Sequence, residues 1–108
     1  MDAFAALADP TRREIVCLLE HGPMDATQIA ERFDISQPAV SKHLKRLLEG
    51  ALVTRTTRGQ RRVYALDPAG LEEVEDWVAS RRRAWERRLA ALEKHVTENQ
   101  RDKRREGG

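Results

Sequence analysis

The sequence predicts a mainly α-helical domain with a single β-hairpin, and three observations support this fold class. Pairs of a capping residue and a proline recur along the chain, and apolar residues follow them at helical spacing. After Gly50 the pattern changes to two short runs rich in Val, Thr, Tyr and Arg, separated by Gly59-Gln60. Beyond Pro68 the helical spacing returns. The predicted order is therefore four helices, a hairpin and one long helix.

The first two helices are predicted from an alanine-rich start and a proline. Residues 1–8 are rich in alanine, and Phe4 and Leu7 lie three residues apart, so we expect a short helix whose apolar side needs a partner. Asp9 can cap a second helix with Pro10 in its first position, where no amide hydrogen is required. This second helix is expected to end at Gly22-Pro23.

The third and fourth helices have clear start signals. Asp25 and Gln28 have the spacing of a capping box, and Met24 with Ile29 has that of a hydrophobic staple. Ser36 can cap the fourth helix, which closes at Gly50. One side of this helix carries the apolar residues Val40, Leu44, Leu47 and Leu48.

A hairpin and a long helix complete the domain. Residues 52–58 and 61–66 are predicted strands around a two-residue turn. Asp67-Pro68 then restarts a helix that could reach about 30 residues, roughly 45 Å. We expect one domain over residues 1–97 and a disordered charged tail over 98–108, because the tail lacks apolar residues.

Charge is distributed unevenly along the 108 residues, although the net charge is only +2. Residues 42–62 contain seven Lys and Arg side chains and one acidic residue, Glu49, which gives this segment a charge of +6. Residues 63–80 contain five acidic residues and no basic one. A basic block inside a nearly neutral chain is typical of a surface that binds phosphates.

The sequence lacks the signals of several functional classes. The chain has neither a glycine-rich phosphate loop nor a paired nucleophile and base, so we predict no enzyme and no cofactor. Its single cysteine, Cys17, rules out an intrachain disulfide. No apolar run has the pattern of a signal peptide or the length of a membrane span. We therefore expect a cytoplasmic protein without a membrane partner.

The third and fourth helices are joined by only Asp34 to Ser36, which is helix-turn-helix spacing, and the hairpin after them corresponds to a wing. On the fourth helix, short polar groups near the start could reach base edges, while cations farther along could neutralise phosphates. The predicted DNA contacts of this recognition helix are Ser36, Gln37, Pro38, Ser41, Lys42, His43, Lys45 and Arg46. An ordinary amphipathic helix with a solvated basic face is the alternative, and the Arg-rich hairpin argues against it.

The hairpin tip forms the second predicted DNA contact. Its arginines project from a thin ribbon that could enter a minor groove or lie along phosphates. The alternative is a hairpin whose exposed edge is protected by charge against aggregation. Three arginines exceed that need, so we favour DNA. The predicted contacts are Arg58, Gly59, Gln60, Arg61 and Arg62.

Four segments together resemble the ArsR/SmtB family of bacterial repressors. They are Asp9-Pro10-Thr11-Arg12-Arg13 with Ile15, Ile35 to Leu44, Gly50-Ala51-Leu52-Val53, and Arg61 to Leu66. The resemblance covers about residues 2–96, and Ser36-Gln37-Pro38-Ala39-Val40-Ser41-Lys42-His43-Leu44 is its most specific part. It implies a winged helix-turn-helix homodimer built on the first and last helices. It also implies repression at double-stranded operator DNA, here taken as an inverted repeat, with release by an inducer that the sequence does not identify.

The chain departs from the metal-sensing members of that family. Their arsenic-type site is a cysteine pair in the helix before the recognition helix, and residues 25–33 contain no cysteine. Their zinc-type site needs an Asp-x-His pair and a His-x-x-Glu pair on the last helix, of which only His95 and Glu98 are present. We therefore predict no metal. A metal- or thiol-responsive repressor that uses Cys17 and His21, or His95 and Glu98, is kept as the alternative.

The last helix carries an apolar stripe that includes Trp85 and is interrupted by arginines. We predict a dimer interface made of Phe4, Leu7, Val78, Trp85, Leu89 and Leu92. One alternative is an effector pocket lined by Trp85. The rival from another functional class is a helical protein-interaction module that dimerises without touching DNA, and the basic block counts against it.

Overall fold

The computed structural model describes residues 2–106, with side chains through residue 97. The chain forms two compact units, Met1–Val74 and Glu75–Gly108. The helices are α1 (Ala3–Leu7), α2 (Pro10–Leu19), α3 (Ala26–Arg32), α4 (Gln37–Glu49) and α5 (Pro68–Glu106). The strands are β1 (Met24–Asp25), β2 (Val53–Arg58) and β3 (Arg61–Leu66). The predicted mainly α-helical fold with a hairpin wing is confirmed.

The predicted caps start the helices where the sequence placed them. The Asp9 carboxylate accepts from the backbone amide of Arg12 at 3.1 Å and begins α2, with Pro10 in the first turn. The Asp25 carboxylate accepts from the Gln28 amide at 2.8 Å, while the Gln28 side chain accepts from the Asp25 amide at 2.9 Å. This reciprocal pair is the predicted capping box of α3. Each cap provides a partner for an amide that the helix itself leaves unpaired.

Helix α4 lies at the centre of the first unit. Val40, Leu44 and Leu47 are fully buried, and Leu48 is half-buried, as their spacing predicted. Helices α1, α2 and α3 and strand β2 all pack against α4. Among the side chains that the structure describes, the other large ones that are fully buried are Ile15 of α2 and Ile29 of α3. Burial of one face of α4 therefore determines which residues its opposite face exposes.

Helix α1 packs against the rest of the first unit through its small residues. Its fully buried residues are Ala3 and Ala6, whereas Phe4 is 37% exposed and Leu7 is half-buried. A β carbon built at Gly50 would lie 3.0 Å from the β carbon of Ala6. Small residues on both sides therefore allow α1 to lie close against the end of α4, which the apolar spacing of Phe4 and Leu7 did not predict.

The wing is a three-stranded antiparallel sheet with the strand order β1-β3-β2. In the hairpin, Val53 pairs with Leu66 and Arg58 pairs with Arg61, and Gly59 adopts a φ of 63° in the turn. The third strand, β1, pairs Met24 with Tyr64 and Asp25 with Val63. The sequence did not predict β1, because two residues are too few to show the alternation of a strand.

The start of α5 is joined to the end of α4 through backbone contacts. The Gly70 amide donates to the Ala51 carbonyl at 2.7 Å, and the Asp67 amide donates to the Leu52 carbonyl at 2.9 Å. A β carbon built at Gly70 would lie 2.6 Å from that same Ala51 oxygen and closer still to the Gly50 oxygen. Ala51 itself has a φ of 54°, in the left-handed region. Gly70 is therefore required by a close backbone approach.

Helix α5 has 39 residues and is longer than the sequence predicted. No glycine or proline occurs between Leu71 and Glu106, and the segment is rich in Glu, Arg and Lys, which favour helices. The helix therefore continues past the predicted boundary at residue 97. Residues 107–108 and the side chains from residue 98 onward lie outside the described part, so the disorder predicted for 98–108 stays a prediction. No helix over residues 2–106 combines the length and apolar character of a membrane span.

Gly70→Ala tests the close approach between α5 and the end of α4. At an ordinary helical position this change would stabilise the protein by about 1 kcal/mol. Here the added methyl group meets two carbonyl oxygens, so we expect a loss of about 1–3 kcal/mol in the free energy of unfolding. Urea denaturation would measure it, with Glu73→Ala on the same helix as the control, expected within about 0.5 kcal/mol of the wild type. A Gly70→Ala variant as stable as the wild type would contradict this account.

Candidate nucleic-acid interface

The outward face of α4 carries most of the predicted recognition-helix residues. Seven of the eight are exposed: Ser36, Gln37, Pro38, Ser41, Lys42, Lys45 and Arg46. Ser36 also caps α4 by accepting from the Ala39 amide at 3.3 Å. The polar side chains lie in the first turns and the three cations lie farther along, as the sequence predicted. This arrangement offers hydrogen-bonding groups and positive charge on the same helical surface.

Gln37 is held by the preceding helix. Its side-chain amide donates to the hydroxyl of Thr27 on α3. The contact links the first turn of α4 to the first turn of α3 across the helix-turn-helix. It restrains the Gln37 side chain, and sequence spacing alone did not indicate Thr27 as its partner.

His43 is separated from the exposed set, because its ring is half-buried. The Nδ1 atom lies 3.5 Å from Nη1 of Arg12. Arg12 also donates to two carbonyls at the end of α1, through Nε to Ala6 at 2.6 Å and through Nη2 to Ala5 at 3.1 Å. His43 therefore faces the junction of α1 and α2, and the phosphate contact assigned to it from the sequence stays a prediction. Sequence reasoning missed the structural role of Arg12.

All five predicted wing residues, residues 58–62, are exposed. Arg61, however, is already paired within the chain. Its Nε and Nη2 atoms lie 2.9 and 2.5 Å from Oδ2 of Asp25, and Nη2 lies 3.4 Å from Oε1 of Gln28. The Asp25 side chain is only 16% exposed, and that of Arg61 is 61% exposed. Asp25 and Arg61 are 36 residues apart in the sequence, so no local pattern indicated this ion pair.

An open cleft of about 300 Å³ joins the recognition helix to the wing. It brings together Ser41 and the wing residues Gln60, Arg61 and Arg62, all four of which the sequence predicted to contact DNA. Its remaining lining residues are Asp25, Ala26, Thr27 and Tyr64. The cleft has the chemistry of a phosphate site, because hydroxyl and guanidinium groups line it and the one carboxylate is paired with Arg61.

Comparison with known proteins agrees with this geometry. Residues 9–55 match the model of the bacterial regulatory proteins of the arsR family. The chain is 39% identical over 77 residues to the transcriptional repressor SdpR of Bacillus subtilis. The matched region covers 71% of this chain and 86% of that protein. The chain belongs to the ArsR family.

Two further comparisons support the assignment. The chain is 52% identical over 69 residues to the helix-turn-helix-type transcriptional regulator Rv2034 of Mycobacterium tuberculosis, and the match spans 64% of the length of each protein. The homodimeric winged helix-turn-helix DNA-binding domain of a Mycobacterium bovis protein superposes with a TM-score of 0.60 at 30% identity, covering 72% of this chain and 75% of that one.

Membership of the ArsR family confirms the predicted winged helix-turn-helix fold. It also confirms the predicted class of function, a DNA-binding transcriptional repressor and not an enzyme. No group of three or more His, Cys, Asp or Glu side chains that could hold a metal ion occurs in the described part of the chain. Cys17 is exposed, and the Glu98 side chain lies outside the described residues. The absence of a metal therefore stays a prediction.

Two capping carboxylates give the fold a defined response to acid. The Arg12 backbone amide, helped by the charges of His43 and Arg12, lowers the pKa of Asp9 below its ordinary 3.8. The Gln28 backbone amide, followed by the Arg61 side chain, lowers the pKa of Asp25 in the same direction. A depressed folded-state pKa means that each group contributes stability above pH 3.8 and that this contribution is lost as pH falls through the folded-state value.

We therefore expect the free energy of unfolding to fall as the pH drops below 3.8. Asn also caps helices, so Asp9→Asn and Asp25→Asn should keep the caps while removing the titrating groups. The double Asn variant should lose less stability than the wild type between pH 5 and pH 2.5. Denaturant titrations across that range would measure the difference, and an unchanged acid dependence would show that these carboxylates are not responsible.

Proposed function

We propose that this chain is a homodimeric repressor that binds an inverted-repeat operator, with α4 of each subunit in a major groove and the wing beside it. The observation that carries the proposal is the continuous surface formed by the exposed face of α4, the cleft and the wing. Phosphate contacts from Lys42, Lys45 and Arg46 would fix the register, and Gln37 and Ser41 would read base edges. A cytoplasmic location follows from operator DNA as the partner.

Homodimerisation is supported by the exposed apolar side chains of α5. Within the second unit, Val78 is 42% exposed, Trp85 65%, Leu89 58% and Leu92 55%. Apolar groups left in water on one helix mark an interaction surface. We propose that a second copy covers them, together with Phe4 and Leu7 of α1. The homodimeric Mycobacterium bovis domain has the same fold.

An effector site on α5 is the second candidate use of these side chains. Trp85 lines an open apolar depression of about 410 Å³ with Trp77, Val78 and Leu89, bordered by Arg81, Arg82 and Glu86. A planar apolar molecule with an acidic group would suit this lining. We favour the second copy, because the exposed apolar side chains extend along the helix to Leu92 and Val96, beyond the depression.

The operator proposal predicts sequence-specific binding whose affinity falls steeply with salt, because phosphate contacts release counterions. Fluorescence anisotropy on an inverted repeat from the upstream DNA, and on a scrambled duplex, would measure it. Gln37→Ala should lower the preference for the operator by about tenfold or more, since a base contact contributes about 1–3 kcal/mol of discrimination. Lys45→Ala, the matched phosphate variant, should weaken both duplexes alike and reduce the salt slope by about one. Equal affinity of the wild type for both duplexes would contradict the proposal.

The dimer proposal predicts that Trp85→Ala raises the dimer dissociation constant and weakens operator binding with it. Truncation of a buried Trp costs about 3–5 kcal/mol, so the Trp85→Ala variant should be largely monomeric at micromolar concentration, where the wild type is a dimer. Sedimentation equilibrium would show the change, with Glu93→Ala on the same helix as the control. A wild-type protein that is monomeric at that concentration would refute the dimer, and a dimer that binds no duplex at low salt would favour the interaction module.

A further inference from the structure

The tip of the wing has few connections to the body of the first unit. Strand β1 pairs with β3 only at Val63 and Tyr64, and the hairpin extends beyond this pairing to the turn at Gly59-Gln60. A two-stranded ribbon is marginally stable by itself. Arg61 is the first residue of β3, next to the turn, so its ion pair with Asp25 joins the tip directly to the start of α3.

Asp25 divides its two carboxylate oxygens between two tasks. Oδ1 accepts from the Gln28 amide at 2.8 Å and caps α3, whereas Oδ2 accepts from Nε and Nη2 of Arg61. Gln28 completes the connection, because its Oε1 atom accepts from the Asp25 amide and lies 3.4 Å from Nη2 of Arg61. The capping box of α3 is therefore also the anchoring point of the wing.

We propose that Arg61 is a positioning residue that fixes the wing relative to the helix-turn-helix, and that Arg62 supplies the phosphate contact of the wing. The inference rests on the proposed function and changes the role that the sequence assigned to Arg61. Both guanidinium groups border the same cleft, but that of Arg61 is occupied by Asp25. The pair also neutralises a carboxylate that would otherwise repel a phosphate there.

The shape of the Arg61 side chain matters in this arrangement. Arginine presents several donors in a rigid fork, whereas lysine presents a compact point charge on a flexible chain. A positioning role therefore requires arginine at residue 61, and Arg61→Lys should lose the anchor although it retains the positive charge. A direct phosphate contact would instead tolerate Arg61→Lys, because lysine also binds phosphates as a point charge.

The first experiment tests the anchor without DNA. Amide hydrogen exchange over residues 57–62 should accelerate roughly threefold or more in Arg61→Lys and in Asp25→Asn, because local opening becomes easier. Asn keeps the cap of α3, so this acceleration would report the lost ion pair. Asp9→Asn, the same change at the cap of α2, is the matched control and should leave exchange in the wing as in the wild type. Unaltered exchange in both wing variants would overturn the proposal.

The second experiment separates positioning from phosphate contact. Arg61→Lys should lose as much operator affinity as Arg61→Gln. The double variant Asp25→Asn, Arg61→Lys should bind the operator no more weakly than whichever of its two single variants has the lower affinity, because both changes break the same ion pair. Arg62→Gln should weaken binding and reduce the salt slope by about one, and Arg62→Lys should lose less affinity than Arg61→Lys. The proposal is overturned if Arg61→Lys binds like the wild type while Arg61→Gln reduces the salt slope by about one.

The two experiments distinguish failure of this inference from failure of the proposed function. If the wild type shows no preference for the operator, the proposed function fails, and the exchange measurement still decides whether Asp25 and Arg61 anchor the wing. Circular dichroism and denaturant unfolding of each variant would identify any that is unfolded. An unfolded variant would exchange its amide hydrogens rapidly throughout the chain. If Asp25→Asn shows this general acceleration and no acceleration confined to residues 57–62, the result would count against the anchor.

Discussion

Burial of the apolar face of α4 is the constraint on which the direction of its polar and basic face depends. Val40, Leu44 and Leu47 are removed from solvent by α1, α2, α3 and β2. Burying a large aliphatic side chain contributes about 1.5–3 kcal/mol, so any rotation of α4 about its axis would be costly. Because the helix has one fixed inward face, the polar and basic residues on the other face have a fixed outward direction. The same packing that stabilises the first unit therefore orients the groups that we propose to contact the operator.

The caps connect this packing to the wing. Asp9, Asp25 and Ser36 each start a helix by accepting from a backbone amide, which fixes where the chain enters α2, α3 and α4. Asp25 has a further role, because it is also the second residue of β1 and the partner of Arg61. An exposed ion pair contributes little to global stability, so its effect is expected mainly in the orientation of the hairpin. Asp25 thus both caps α3 and forms the ion pair with Arg61 of the wing.

The second unit is built under a different constraint. Its helix is rich in charged residues that favour helical structure, yet Trp85, Leu89 and Leu92 remain largely in solvent. A helix of this kind gains little stability from local interactions alone, and the proposed second copy would supply further contacts. The backbone contacts of Asp67 and Gly70 with the loop after α4 fix the first turn of α5.

The sequence by itself determined the features that depend on neighbours a few residues apart. Capping pairs, helical spacing and the two-residue turn predicted all five helices, the hairpin and the outward face of α4, because caps and amphipathic patterns act within one or two turns. Tertiary structure alone decided the contacts between distant residues. The pairing of β1 with β3, the half-buried position of His43, the close approach at Gly70 and the ion pair of Asp25 with Arg61 all join segments separated along the chain. No local period encodes these contacts, since they arise only when packing around α4 brings the segments together.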